Sequence, residues 1–312
     1  MLIANNISIA NPYIPTGATP PSSTPLLDDY PNAKVGYSLR KISSTYTGSC
    51  IRVRRLADNV EQDIGFSGYE LDTTSLTAFI GGDTGFVTTW YNQSPITSGS
   101  DNANNSTAIY QPIIINRGAL HTVNGKPAIH CGRNAVLYAG DTTTFKYLHD
   151  GTIRSSTVTV MQTAPILSGL KFLWLTGTSG GGSIQAQMYF SGTSIRQQIK
   201  NATLSINNNA SIGSVSTSSD YLVFQTFDGG NPTPSEKMIM NLNGGADIDN
   251  NTSVFTPSTA NSTLRMHLFN YRYPSVGYGT DGYCQEMIFW DDDYTADKSA
   301  ISDNINSYYG IY

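Results

Sequence analysis

The sequence predicts an all-β protein built as a two-sheet β-sandwich or jelly roll. Short segments rich in β-branched and aromatic residues recur along the chain, and many of them alternate apolar with polar residues. Gly, Asn, Ser or Pro bounds each of these segments. Charged residues make up 13% of the chain, about half the share of ~25% that is typical of soluble domains. Short strands at regular spacing with such turns are typical of sandwiches and jelly rolls.

Residues 1–30 differ in composition from the rest of the chain. Five of the 14 prolines occur within the first 25 residues, among Ser, Thr and Gly. This composition predicts an extended arm or linker without a core of its own. We therefore divide the chain into a Pro-rich arm, residues 1–30, and a sandwich domain, residues 31–312.

The elements of the sandwich can be predicted in chain order. Ile51, Val53 and Leu56 predict one apolar face of an early strand. The segment LDTTSLTAFIG predicts a short helix that Asp72 caps. A second helix is predicted from about Thr295, as its cap, to Tyr308. The Asn-Gly step within 241–245 predicts a tight hairpin. Further strands are predicted at 156–162, 171–177, 184–192, 194–200, 221–229, 236–244 and 264–272.

Charge and composition exclude several classes of protein. The net charge of −5 argues against a nucleic-acid-binding protein, because such proteins carry an excess of positive charge on their surface. No stretch approaches the ~20 apolar residues of a membrane span, and the N-terminus lacks the basic region of a signal peptide. The three widely spaced cysteines, Cys50, Cys131 and Cys284, predict buried free thiols.

The stretch CIRVRRLADNVEQDIGF places three arginines before three acids: Arg52, Arg54, Arg55, Asp58, Glu61 and Asp63. It could form a phosphate-binding patch, an anion clamp of a catalytic site, or a structural network of ion pairs. The acids follow at once, and no catalytic base can be named nearby. Because the planar guanidinium bonds a carboxylate at two points, we favour structural ion pairs.

The block YSLRKISSTYTGSCIRVRRLADNVEQDIGF, with LDTTSLTAFIGG and GFVTTWYNQS after it, closely resembles the opening of fungal α-L-arabinofuranosidase B catalytic domains. VNGKPAIHCG and GYCQEMIFWDDDYTADKSAISDNINSYY continue the resemblance, which covers roughly residues 30–312. It implies a concanavalin A-like β-sandwich with one or two short helices. The opening block is also similar to one found in structural proteins of tailed phages, often behind a short Pro-rich arm.

The resembled enzymes are retaining glycosidases, which use two carboxylates roughly 5 Å apart. The resemblance places the nucleophile in SIRQQIKNATL, but no Asp or Glu occurs anywhere from Gly151 to Ser219. It places the acid in NYRYPSVGYGTDG, where Arg272 and Tyr273 stand and Asp281 comes several residues late. Because loss of one such carboxylate costs orders of magnitude in rate, we predict that the chain is not an enzyme.

The remaining acids predict no metal site and no cofactor. The run 291–293 is interpreted as a solvated turn before the last helix, with calcium binding as the alternative. The segment 247–251 is similar to the start of an EF-hand loop but lacks its Gly and its late Glu. Glu286 is predicted to be the structural partner of an arginine rather than a catalyst.

Aromatic residues can stack on sugar rings, and the chain has 19 tyrosines. The alternative for each is ordinary packing in the core or at the rim. Our glycan-binding candidates are Trp90, Tyr91, Arg272, Tyr273 and Tyr278.

Together these observations predict a non-enzymatic phage virion protein: a head fibre, a capsid decoration protein or a tail-associated protein. Residues 1–30 would dock to other virion proteins, as a homo-oligomer. The sandwich would face outward, available to host or environmental glycans, and lytic release would bring the unexported chain outside. The alternatives are an arabinofuranosidase-type glycoside hydrolase and a soluble bacterial lectin.

Overall fold

A computed structural model describes residues 24–97, 101–164, 168–177, 183–201, 208–249, 256–271 and 278–312. Its helices are α1 (Leu26–Asp29), α2 (Thr73–Ile80), α3 (Tyr147–Asp150) and α4 (Lys298–Tyr309), with short 3₁₀ turns at Ala108–Tyr110 and Pro234–Glu236. Its strands are β1 (Ala33–Ser38), β2 (Ile51–Arg55), β3 (Glu61–Ile64), β4 (Phe66–Ser67), β5 (Glu70–Leu71), β6 (Gly85–Trp90), β7 (Ala103–Asn104), β8 (Ile113–Asn116), β9 (Ala119–Leu120), β10 (Thr122–Val123), β11 (Lys126–Pro127), β12 (Ile129–Cys131), β13 (Leu137–Ala139), β14 (Ser155–Gln162), β15 (Leu170–Leu175), β16 (Gln185–Ser191), β17 (Ser194–Lys200), β18 (Asn208–Ile212), β19 (Asp220–Phe227), β20 (Met238–Leu242), β21 (Asp247–Ile248), β22 (Met266–Leu268) and β23 (Gly282–Trp290).

The long strands form two antiparallel layers. Sheet I has the order β21–β20–β19–β14–β23. The other edge of β23 pairs with β12 near its start and with β1 along the rest of its length. Sheet II has the order β3–β2–β6–β7–β13–β22–β15–β16–β17–β18. Strand β8 pairs with both β6 and β12 and so joins the two layers at one edge.

The main core lies between the two sheets. Ile51 and Val53 of β2 contribute to it, together with Trp90, Trp174 and Phe289. Leu56, which the sequence analysis placed on the same apolar face, is instead 51% exposed. The reason is that β2 ends at Arg55, so the alternation of faces stops before Leu56.

A second apolar cluster covers the outer face of sheet I. There α4 packs Ile301 and Ile305 against residues of β14, β19 and β23, and α1 adds Leu26 and Leu27. Both leucines are buried, so residues 24–30, which the sequence analysis assigned to the arm, pack against the sandwich. Residues 1–23 lie outside the described residues.

Several local predictions are confirmed. The predicted strands between 156 and 272 are matched by β14–β17, β19, β20 and β22. At the Asn-Gly step, Asn243 and Gly244 both have positive φ, and Gly245 N donates to Leu242 O at 3.0 Å, which makes a type I′ turn. Asp72 Oδ1 accepts from Ser75 N at 2.9 Å and caps α2. The three cysteines are buried and unpaired.

The predicted cap of the last helix is wrong. Asp297, not Thr295, precedes α4, which begins at Lys298. The backbone and hydroxyl of Thr295 donate instead to Asp293 Oδ1, so this threonine closes a turn of the acidic run before the helix. Within the described ranges, no helix is both long and apolar enough to cross a membrane.

Candidate functional site

The arginine-rich strand β2 carries two separate ion pairs. Arg52 donates to both oxygens of Asp63, its cross-strand neighbour, at 2.8 and 2.7 Å. Tyr91 Oη donates to the same carboxylate at 2.7 Å. The hydrogen bonds from Arg52 hold the pKa of Asp63 below its usual value. Arg55 makes the second pair, with Asp58, at 2.6 Å.

The other two members of the predicted network find different partners. Arg54 donates to Gln111 Oε1 and Asn59 Oδ1, both at 2.8 Å, and lies over the Phe86 ring at 4.7 Å. Glu61 contacts the hydroxyl of Thr88 at 3.5 Å. The three contacts of Arg54 bind β2 to its surroundings, and the contact of Glu61 links β3 to β6. All six charged residues of the stretch therefore make structural interactions.

Glu286 pairs with an arginine that lies outside the predicted network. Arg40 donates to its two oxygens at 2.9 and 3.2 Å. Ser38 and Tyr309 also donate to Glu286, at 2.7 and 3.2 Å. The Glu286 side chain is fully buried, so its carboxylate serves as a junction between β23, the segment after β1, and α4.

The glycan-binding candidates fall in different environments. Trp90 is fully buried and packs on Tyr37 and Phe269, so it cannot stack on an external sugar. Sequence alone could not show this, because Phe269 is distant in the chain. Tyr91 is engaged with Asp63. Tyr278 is 37% exposed. Arg272 and Tyr273 lie outside the described residues.

A polar cleft of about 450 Å³ opens on the outer face of sheet II. The exposed Arg265 guanidinium lies over the Tyr138 ring, at 4.1 Å from its centroid. His267 meets the same ring edge-on, at 4.8 Å. The cleft lining comprises Asp101, Asn102, Asn104, Tyr138, Gly140, Asp141, Thr144 and Arg265.

Strand register assembles this cleft from distant parts of the sequence. Tyr138 of β13 pairs with Asn104 of β7 on one side and with His267 of β22 on the other. Because directly paired residues of neighbouring strands face the same side of a sheet, the three side chains share the outer face. Arg265, two residues before His267, faces the same way.

Two carboxylates line the cleft, and their environments differ. Asp141 Oδ1 accepts hydrogen bonds from the amides and hydroxyls of Thr143 and Thr144, which lower the pKa of Asp141 to about 2. Burial raises the pKa of Asp101; the positive charge of Lys34 opposes this rise, and the negative charge of Asp141 adds to it. This pair was not predicted from the sequence, because both residues lie in loops outside the predicted strands. Asp-Thr-Thr-Thr at 141–144 was a usable signal of a local turn.

Among the residues that the structure describes, no group of three or more His, Cys, Asp or Glu is placed to bind a metal ion.

Comparisons with known proteins identify the fold. No protein-family model and no curated protein sequence matches the chain. A solved GH54 α-L-arabinofuranosidase, soaked with a cyclic sulfate inhibitor, matches with a TM-score of 0.60 and 14% identity over 88% of this chain and 62% of its own. An arabinofuranosidase complexed with arabinofuranosyl-α-1,2-xylobiose matches with a TM-score of 0.57 and 14% identity, over 93% of this chain and 65% of its own.

The chain therefore spans less than two thirds of the length of either matched protein. At this identity the likeness shows the fold alone. The predicted all-β sandwich is confirmed. The described residues contain four α-helices, where one or two short helices were predicted.

Proposed function

We propose that the chain is a non-enzymatic, lectin-like protein that binds glycans in the polar cleft of sheet II. The observation that carries this proposal is the group of side chains around Tyr138. An aromatic ring, a guanidinium without a hydrogen-bonding partner in the described part of the chain, and two amides meet in one cleft.

This set of groups suits a sugar. A sugar ring offers an apolar C–H face, for which an aromatic residue is the natural contact, and hydroxyls that both donate and accept. Asp101 and Asp141 can accept, Arg265 can donate, and the amides of Asn102 and Asn104 can do both. The volume of about 450 Å³ lies within the ~300–1,000 Å³ of small-molecule sites.

The matched structures suggest which sugars to test first. Both proteins are described as arabinofuranosidases, and one is complexed with an arabinose-substituted xylobiose. We propose pentose-containing glycans as the first ligands.

The test is a glycan array that includes arabinose and xylose glycans, followed by calorimetry with the best ligand. Tyr138→Ala is expected to weaken binding about tenfold, which corresponds to about 1.4 kcal/mol. Arg52→Ala is the control, because Arg52 lies on the same sheet but outside the cleft lining. Absence of binding to every glycan, or equal binding by the Tyr138 variant, contradicts the proposal.

We further propose that the chain is part of a phage virion, held there through the part of the Pro-rich arm that precedes residue 24. The support is the resemblance of the opening block to phage structural proteins and the Pro-rich composition of the arm. Mass spectrometry of purified particles tests this proposal, and absence of the chain from them would refute it.

A second candidate function is glycoside hydrolysis, which one observation favours. Asp101 and Asp141 share a cleft and have pKa values displaced in opposite directions, as an acid and a nucleophile require. However, the lowered pKa of Asp141 is already explained by its hydrogen bonds within the local turn, without a catalytic role.

A chromogenic arabinofuranoside separates the two functions. We expect no release of the chromophore by the wild-type protein. Turnover that disappears in both Asp101→Asn and Asp141→Asn would establish the hydrolase instead.

A further inference from the structure

We infer that the ligand is a linear oligosaccharide that also stacks on Tyr278, rather than a single terminal sugar. This inference rests on the proposed function and adds a second contact on the face that carries the cleft.

The Tyr278 ring is exposed but firmly supported. Its centroid lies 5.2 Å from that of Tyr271 and 6.1 Å from that of Phe172. Phe172 stacks in turn on Tyr189, at 5.3 Å. The three supporting rings are buried, whereas Tyr278 is 37% exposed. A ring fixed in this way can stack on a ligand with little loss of side-chain entropy.

The supporting rings lie on the same face as the cleft. Pairing runs in register from Tyr138 through His267 and Leu175 to Gln187. Tyr189 follows Gln187 by two residues on β16, and residues two apart on a strand face the same side. Tyr189 and the Phe172 ring stacked on it therefore share the outer face with Tyr138.

The separation of the two contacts sets the length of the ligand. Phe172 lies two strands from Tyr138 and about two residues further along the strand direction. At the usual strand spacing and rise, the distance between these two residues is about 12 Å, which corresponds to about three sugar rings. Because Tyr278 packs on Phe172, a ligand that touches both Tyr138 and Tyr278 must bridge a separation of this order, which a single sugar ring does not.

A cation close to Tyr278 is already paired. Gly279 packs against the backbone of Arg133, which brings this arginine next to the platform. The Arg133 guanidinium pairs with Asp281 at 3.1 Å. Its charge is therefore already balanced by a carboxylate, so it offers little to an acidic sugar.

The experiment measures affinity against chain length. Wild-type protein is titrated calorimetrically with the linear xylo-, arabino- and cello-oligosaccharides of one to six rings that the array contains. We expect affinity for the bound series to rise at least tenfold between one and about three rings, and then to level off. Tyr278→Ala should remove this gain and leave single-sugar affinity unchanged, whereas Tyr138→Ala should weaken binding at every length.

Two control variants define what Tyr278 contributes. Tyr278→Phe keeps the stacking ring and should behave as wild type. Tyr69→Ala removes another exposed tyrosine, in the turn between β4 and β5, and should have no effect. Affinity that does not depend on length, or a Tyr278→Ala variant that binds long chains like wild type, overturns this inference alone. Absence of binding to any glycan overturns the proposed function as well.

Discussion

Replacing Arg40 by alanine is expected to lower the free energy of unfolding by about 3–5 kcal/mol, the usual cost of leaving one charge of a buried pair unpartnered. Arg52→Ala removes an arginine that also makes a two-point bond to a carboxylate, and it should cost at most about 1 kcal/mol. The two pairs differ mainly in exposure. The side chains of Arg40 and Glu286 are 9% and 0% exposed, against 43% and 38% for Arg52 and Asp63.

The larger loss of stability for Arg40→Ala arises because the buried Glu286 carboxylate loses its charged partner. Glu286 would stay buried with only the hydroxyls of Ser38 and Tyr309 as donors. The guanidinium also lies over the rings of Tyr308 and Tyr309, at 5.0 and 5.6 Å. Its removal therefore also loosens α4, the helix that covers sheet I.

Urea unfolding monitored by tryptophan fluorescence measures these differences, provided that the slopes of the transitions agree. The double variant Arg40→Met with Glu286→Leu should be more stable than Arg40→Ala, because it leaves no charge in the core. Equal losses for Arg40→Ala and Arg52→Ala would show that burial does not set the strength of these pairs.

The sequence predicted those features that depend on neighbouring residues. Alternation of apolar residues located β14–β17, β19 and β20, and Asn243–Gly244 located a turn whose backbone requires positive φ. The errors at Leu56 and Thr295 are also local. Each lies at the end of an element, where alternation or capping gives the weakest signal.

The candidate site could not be predicted in the same way. Asn104, Tyr138 and Arg265 belong to three strands or strand ends that are distant in the chain, and only the register of β7, β13 and β22 brings them together. Trp90 shows the converse. As an aromatic residue it suited a sugar platform, but its side chain points into the core, where Phe269 covers it.

Acidification is expected to destabilise the protein well before its carboxylates are protonated. Burial lowers the pKa of His267 to about 4, and the positive charge of Arg265 contributes. His121 and His130, with rings 5.5 Å apart, also have pKa values lowered chiefly by burial. Each of these histidines binds a proton more readily when the chain is unfolded.

The sign of the effect follows from this difference. The contribution of His267 is fully present above the unfolded pKa of about 6.5 and is lost as the pH falls toward 4. For a shift of this size it amounts to about 3 kcal/mol, at 1.36 kcal/mol per pH unit. The lowered pKa values of Asp58, Asp63, Asp72 and Asp141 cause further losses only at lower pH. The raised pKa of Asp101 has the opposite effect on stability, but this single group is outweighed by the several groups with lowered pKa values.

Unfolding free energies measured in urea between pH 7.5 and about 4 should therefore decline below pH 6.5. His267→Gln removes the titrating ring, so its stability should fall less steeply over the same range, whatever its value at neutral pH. Lys126→Gln, which removes a paired charge but no titrating imidazole, should keep the wild-type slope. Parallel pH profiles for His267→Gln and wild type would show that His267 takes up its proton equally well in the folded and unfolded chains.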